Sequence, residues 1–388
     1  MDSIKFDFST VNRIVFGARS IDEVPKVIDT FGKKAFVIRS SQAMGEISLT
    51  DLMASANKEY IIYDVKGEPS ETSIIKAVKV ASDNHCDFVI GIGGGSVLDT
   101  AKVVATMMTN KGELMDYLET VGKGFPVRNR CAPNLAIPTT AGTGSEVTRN
   151  AVIDIPDKKL KVSMRSTLML PWVSMIDPLL TLSLPPKITA FTGMDAFIQV
   201  MESFVSVRAN VMTDSLCIEA IKKAAIHLRK TYHHGDNITS RTEMCFVSLI
   251  GGMALANSGL GAVHGFAGAI GSIFHAPHGA VCASLVTAVM KVNVSALMKR
   301  NPNGEALTKY QEIFKMITSN QTATYKDGIQ WFIDLCGDLD IPTLKKLGVN
   351  RGDFPEIVRL SKTTSSMKAN PILLVDGELL EILELAYE

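Results

Sequence analysis

At 388 residues the chain is longer than one compact core usually supports, so two domains are expected. Its 46% hydrophobic and 21% charged content is globular, and 40 basic residues balance 40 acidic ones, which removes the electrostatic case for a nucleic-acid partner or an anionic membrane surface. No apolar stretch of signal-peptide length lies within the opening residues, which mix Asp2, Lys5, Asp7 and Arg13 among apolar neighbours, and no run of about twenty apolar residues is evident.

Cys86, Cys131, Cys217, Cys245, Cys282 and Cys336 are scattered without a Cys-x-x-Cys pair. Such thiols read as small buried apolar groups in a reducing compartment, so a cytoplasmic setting is expected.

Residues 34–39 (KAFVIR) are a short apolar run with a β-branched core, and residues 59–65 (EYIIYDV) are another, closed by Gly67-Glu68-Pro69. Residues 71–84 follow with Ile74, Ile75, Val78 and Ala81 at helical spacing. Residues 87–92 (DFVIGI) read as a buried strand and run into Gly93-Gly94-Gly95-Ser96, after which a helix is expected over residues 97–108. Residues 135–137 are a further short strand, and residues 149–177 read as strands and loops. Strand and helix in alternation predict a parallel sheet covered on both faces. Leu184-Pro185-Pro186 then punctuates the chain, and a helical period takes over at residues 188–207, 210–232 and 240–257 and continues to the end. A boundary near Leu184 separates an α/β domain, residues 1–184, from an all-helical domain, residues 185–388, with a cleft expected between them.

Two segments of the first half carry the chemistry of anion binding. Glycines at 93–95 lack the Cβ atoms that keep a backbone away from a phosphate, and the helix that follows offers unpaired N–H groups and a partial positive charge. Ser96 caps that helix or donates to a phosphate oxygen. The pattern is not Gly-x-Gly-x-x-Gly, and a tight structural turn stays open as the plainer reading. Pro138 to Glu146 (PTTAGTGSE) concentrates Thr139, Thr140 and Thr143 where a parallel strand would end, the usual position of a ligand in such sheets.

The helical half carries a second pattern. Asp195 and Gln199 stand one helical turn apart, and His264 and His278 follow in Gly-Ala-Val-His-Gly and Ala-Pro-His-Gly contexts. A carboxylate, an amide oxygen and two imidazoles make a mixed set suited to Fe(II), Zn, Ni or Mn. Taken singly, each histidine reads more readily as a local hydrogen-bond donor.

The run Gly93 to Lys102, the Pro138 to Glu146 segment, Gly193-Met194-Asp195-Ala196, Pro277-His278-Gly279, Ser365-Ser366-Met367 and Asn370-Pro371 together resemble the iron-containing (group III) alcohol dehydrogenases over nearly the whole chain. The resemblance implies a Rossmann-like N-terminal domain with a parallel sheet and an all-α C-terminal domain that holds metal and substrate, an architecture similar to dehydroquinate synthase. It implies NAD or NADP, one divalent metal (Fe(II) or Zn ahead of Ni or Mn), and interconversion of a small primary alcohol and an aldehyde by hydride transfer. A homodimer or larger homo-oligomer is implied as well. By position, Gly94, Gly95, Ser96 and Asp99 look like cofactor-loop residues, Thr139, Thr140 and Thr143 like a second cofactor segment, and Lys161 like a lysine that reaches the ribose. Asp195, His264 and His278 look like three of four metal ligands.

The chain departs from this family three times. Gln199 stands where a fourth ligand histidine is usual, a weaker donor for Fe(II) or Zn than imidazole. Gly268 stands one turn beyond His264, where another histidine is usual, leaving His275 as the catalytic candidate for proton handling. Ser40, in Arg39-Ser40-Ser41, replaces the aspartate common after the second strand of NAD-preferring members, so that NADP is slightly favoured over NAD. Two other readings remain: a dehydroquinate synthase or glycerol-phosphate dehydrogenase-like enzyme on a phosphorylated or acidic substrate, for which no basic cluster is found, and a non-catalytic nucleotide-binding protein.

Overall fold

The apolar runs of the first half assemble into a six-stranded parallel sheet in the computed structural model, which describes residues 4–40, 49–158 and 160–388. This unit spans Ser9–Ser183. In chain order it comprises β1 (Arg13–Phe16), α1 (Val24–Ile28), β2 (Lys34–Arg39), α2 (Leu49–Ser55), β3 (Glu59–Asp64), α3 (Glu71–Asp83), β4 (Phe88–Gly93), α4 (Gly95–Met107), α5 (Leu114–Tyr117), β5 (Asn134–Pro138), β6 (Asn150–Ile155), β7 (Leu160–Arg165) and β8 (Val173–Ile176). The sheet runs β1-β8-β5-β4-β2-β3, while β6 and β7 form a separate antiparallel pair.

Burial explains why the central strands are so apolar. All six residues of β4 are buried, because cores lie on both sides of it. Val37, Phe88, Ile90, Leu135 and Met175 pack into one core, and Phe36, Ile38, Val89, Ala101 and Val104 into the other. Consecutive residues of β2 and β4 thus alternate between cores, as a period of two requires. At the edge, α3 begins where Ser70 and Ser73 exchange backbone-to-hydroxyl bonds of 3.0 and 3.2 Å, a reciprocal cap.

A buried ion pair ties the centre of this unit together. Lys102 of α4 is 1% exposed; its Nζ lies 3.0 Å from Asp99 Oδ1 and donates to Thr148 Oγ1 at 2.9 Å and to the Asn150 carbonyl. Asp99 also accepts from the Ser145 hydroxyl and, at 2.8 Å, from the Val152 N–H. The loop after β5 and the start of β6 are therefore fixed to the first turns of α4.

The second unit contains Leu184–Glu388 together with residues 4–8, which the sequence reading had grouped with the sheet. Among the described residues it is helical: α6 (Pro186–Val205), α7 (Val211–His233), α8 (Ile238–Ser258), α9 (Ala262–Phe274), α10 (His278–Arg300), α11 (Glu305–Thr318), α12 (Tyr325–Asp338), α13 (Phe354–Ser361) and α14 (Asp376–Tyr387). Helix α10 is long and apolar enough to cross a membrane, an apolar run longer than the sequence pattern leads one to expect; most of it is buried, so its apolarity serves the core. It packs against α6, α9, α12 and α14.

Glu146, in the loop after β5, is 2% exposed. Burial pushes its carboxyl from 4.5 up to about 7, against the pull of a bond from its own backbone and the charge of Lys102. A carboxyl raised on folding binds more protons folded than unfolded between those two values, so its contribution is full below 4.5 and is lost as pH rises through about 7. Glu146→Gln is expected to remove a stability decline on the order of 2 to 3 kcal/mol across that window. Urea midpoints measured from pH 4.5 to 8 check this, and parallel profiles for the two proteins would exclude Glu146 as the source.

Candidate metal centre and cofactor loops

Helix α6 starts behind Pro185 and Pro186, residues that suit the first turn because it needs no N–H there. Once formed, it carries Asp195, Gln199 and Glu202 at intervals of four and three, on one buried face. Helices α8 and α9 meet at a 97° bend, with Gly261 as the N-cap of α9, so that His264 falls in the first turn of α9. Pro277 caps α10, and His278 is its first residue. Beside it, a Cβ on Gly279 would lie 2.2 Å from the Phe191 carbonyl; only glycine lets the start of α10 approach α6 this closely.

These helix starts converge. His264 Nε2 lies 3.1 Å and His278 Nε2 3.7 Å from Asp195 Oδ1. Cys282, one turn along α10 from His278, brings its Sγ to 3.6 Å from His278 Nε2. One ligand atom from each of Asp195, His264, His278 and Cys282 lies within 4.8 Å of the others. Ligand atoms about 2.1 Å from a tetrahedral ion stand roughly 3.4 Å apart, so this spacing and the carboxylate, imidazole and thiol donors fit a divalent cation.

Glu202 holds the arrangement from behind. Its carboxylate accepts from the backbone N–H groups of Gly261 at 3.0 Å, Val263 at 2.7 Å and His264 at 3.4 Å, and from His264 Nδ1 at 2.7 Å. An anion thus caps α9 and, by accepting a hydrogen bond from Nδ1, leaves Nε2 as the nitrogen that could meet a metal. Gln199 hydrogen-bonds the Asp195 carboxyl, and a Cβ on Gly251 of α8 would lie 3.2 Å from its Oε1.

The electrostatics are those of a coupled cluster. Burial alone would raise the Asp195 carboxyl, but the charge of His278 and bonds from His264 and Gln199 hold it below its ordinary value. Burial disfavours charge on His278, yet Cys282 and Asp195 raise it to about 9. His264 is raised well above its ordinary value against the same burial, by Cys282, Asp195 and Glu202. The Cys282 thiol, which burial would push up, is lowered by both imidazoles. The side chain of His278 is 40% exposed, so one side of the cluster is open.

In the sheet unit, Gly93 at the end of β4 pairs in register with Pro138 at the end of β5, and Thr139 N–H donates to the Gly93 carbonyl at 3.0 Å. The two segments singled out in the sequence are therefore side by side. A Cβ on Gly95 would lie 3.0 Å from Thr143 Cγ2, and one on Gly94 3.4 Å from Thr140, so the glycines allow the loops to close on each other. Gly94 is the N-cap of α4, whose first N–H groups have no intrahelical partner. Ser96 is partly exposed in that turn. The Asp99 carboxylate is taken up by Lys102, Ser145 and Val152, which makes it a support of both loops. Lys161 lies on β7, paired with Glu68 at 3.4 Å.

Ser40 follows β2, whose Arg39 is in register with Ile92 of β4. Arg39 does not stand alone: its Nε lies 3.0 Å from Asp64 Oδ1 at the end of β3. Ser41, the second hydroxyl of that stretch, lies outside the described residues. His275 is the exposed C-cap of α9, in left-handed conformation with φ 52°. Around Gly268, a Cβ would meet nothing within 4 Å.

Comparison with known proteins agrees at both ends of the chain. The family model described as iron-containing alcohol dehydrogenase matches residues 11–178, and that of the C-terminal domain of the Fe-containing alcohol dehydrogenase family matches residues 189–387. A 1,3-propanediol dehydrogenase of Citrobacter freundii is 32% identical, over 98% of this chain and 99% of that protein. An alcohol dehydrogenase from Oenococcus oeni superposes with a TM-score of 0.90 at 31% identity, covering 99% of this chain and 100% of its own. Sulfoacetaldehyde reductase from Bifidobacterium kashiwanohense, solved in complex with NAD+, superposes with a TM-score of 0.87 at 26% identity, covering 99% of each.

Glu202→Gln keeps the shape of this side chain but faces three backbone N–H donors and His264 Nδ1 with an amide that has one acceptor atom. Metal affinity is expected to fall 10- to 100-fold and stability by roughly 2 to 4 kcal/mol. Metal titration and denaturant unfolding measure the two; an unchanged affinity would remove Glu202 from the site.

Proposed function

This chain belongs to the iron-containing alcohol dehydrogenase family, and on that premise we propose that it is a metal-assisted, NAD(P)-dependent enzyme interconverting a small primary alcohol and its aldehyde. The observation that carries the reading is the approach of Asp195, His264 and His278 to one point the size of a single ion. When bound, the metal polarises the substrate oxygen and the nicotinamide carries the hydride.

The residues of the chain bind and orient. Asp195, Gln199, His264 and His278 are assigned to the cation, with Glu202 fixing His264. Backbone N–H groups at Gly94, Gly95 and Ser96 take the cofactor phosphates at the start of α4, and Thr139, Thr140 and Thr143 offer hydroxyls beside them. Lys161 is assigned to the ribose. The open space at Gly268, one turn beyond His264, gives the substrate carbon room that a larger side chain would fill. His275, facing solvent, is the candidate for passing the proton to water.

Ser40 presents no carboxylate to a 2′-phosphate, while Asp64 neutralises much of the charge of Arg39. Both cofactors are therefore assigned, with NADP slightly favoured. Six free thiols accord with a reducing, cytoplasmic setting.

Two outcomes test this. His264→Ala is expected to lower kcat/KM for small aldehydes by roughly 1,000-fold, with cofactor Kd unchanged within about twofold; full activity in this variant would overturn the metal assignment. Ser40→Asp is expected to move the NADPH-to-NADH ratio of kcat/KM toward NADH by roughly tenfold, and an unmoved ratio would detach Ser40 from the cofactor.

A further inference from the structure

We propose that Cys282 is a ligand of the metal, binding as a thiolate and supplying the anionic donor that the neutral Gln199 amide does not. This rests on the metal reading given above and goes beyond it, because it changes the donor set from nitrogen and oxygen alone to one carboxylate, two imidazoles and a sulfur.

Three observations carry the inference. The first is distance. The Sγ of Cys282 stands 3.6 Å from His278 Nε2, and the edges from Asp195 Oδ1 to His264 and His278 are 3.1 and 3.7 Å. These lengths match the edges of one tetrahedron around an ion with bonds of about 2.0 to 2.3 Å.

The second is direction. His278 and Cys282 stand four apart on α10, so both side chains issue from one helical face. Cys86, Cys131 and Cys336 each aim their thiols at a backbone carbonyl, as a core cysteine does. Cys282 is fully buried and aims at the imidazole of a metal-binding histidine. The ligand atoms of Asp195, His264 and His278 all lie within 4.8 Å of it.

The third is the state of Gln199. Its amide donates to the Asp195 carboxyl, and the oxygen it brings to the cluster is neutral and a weaker donor for Fe(II) or Zn than imidazole or thiolate. A set with one sulfur prefers Zn, Co or Fe(II) to Mg or Mn, because the harder ions gain little from a thiolate. The exposed side of His278 still leaves the cluster open for an exchangeable further ligand.

The test is to replace the native metal with Co(II) in the purified full-length protein. Wild type is expected to show sulfur-to-cobalt charge-transfer absorption in the near ultraviolet, absent from Cys282→Ala and Cys282→Ser. Zinc affinity in both variants is expected to fall on the order of 100-fold. The serine variant is nearly isosteric and guards against loss of folding. Adding Gln199→His to Cys282→Ala is expected to restore affinity without the sulfur band. A wild-type spectrum without that band, or variants that keep the wild-type affinity, would overturn the proposal. His264→Ala separates the two levels: if it binds zinc like wild type, the metal reading itself fails; if it loses zinc while Cys282→Ala does not, only the thiolate is wrong.

Discussion

Glu202 closes the N-terminus of α9 and the rear of His264 with one carboxylate, and that bond set fixes the start of α9 to α6. Three N–H groups at a helix start would be costly to bury unpaired, and a carboxylate would be costly to bury without donors. Each answers the other. The 97° bend after α8 brings these donors to α6, and the same helix carries Asp195 two turns earlier. Any shift of α9 along its axis would break the cap and displace the histidine together. Packing and ligand placement are thus one constraint.

The sheet unit reaches an equivalent rigidity by another route. Apart from Lys161 on β7, its candidate cofactor residues follow β2, β4 and β5, which are neighbours in the sheet although they are far apart in the chain. Gly93 and Pro138 share a register, and the Asp99–Lys102 pair locks the loops behind them. A buried ion pair of this kind adds little net stability, but removing one partner leaves the other stranded. Its visible effect here is to tie α4, the loop after β5 and β6 into one body.

Much of the fold was legible because its signals are periodic. Residues 34–39 and 87–92 alternate between two cores and sit between glycine and polar punctuation, and the change to helical spacing after Leu184 is abrupt. The short edge strand β1 was not legible: Arg13–Phe16 gains its identity by pairing with Val173–Ile176, some 160 residues away. At the site, Asp195, His264 and His278 were visible through motif resemblance, whereas Glu202 and Cys282 were not. A glutamate seven residues after Asp195 has no signature until the bend brings Gly261 to it. Cys282 was read as apolar filler, the correct default for a scattered thiol; the only hint was its spacing of four from His278. The partner of Arg39 was equally hidden, since Asp64 meets it only across two strands.

The two histidines of the candidate metal centre sit at helix starts, and those starts are not equivalent. The positive end of α9 is met by Glu202, but α10 has no side-chain cap at Pro277. The partial positive charge of about half an elementary unit at that helix start therefore has no capping side chain of its own. That residual field would draw electron density away from a cation held by this imidazole, which would make such a cation a stronger acid than its ligand charges alone imply.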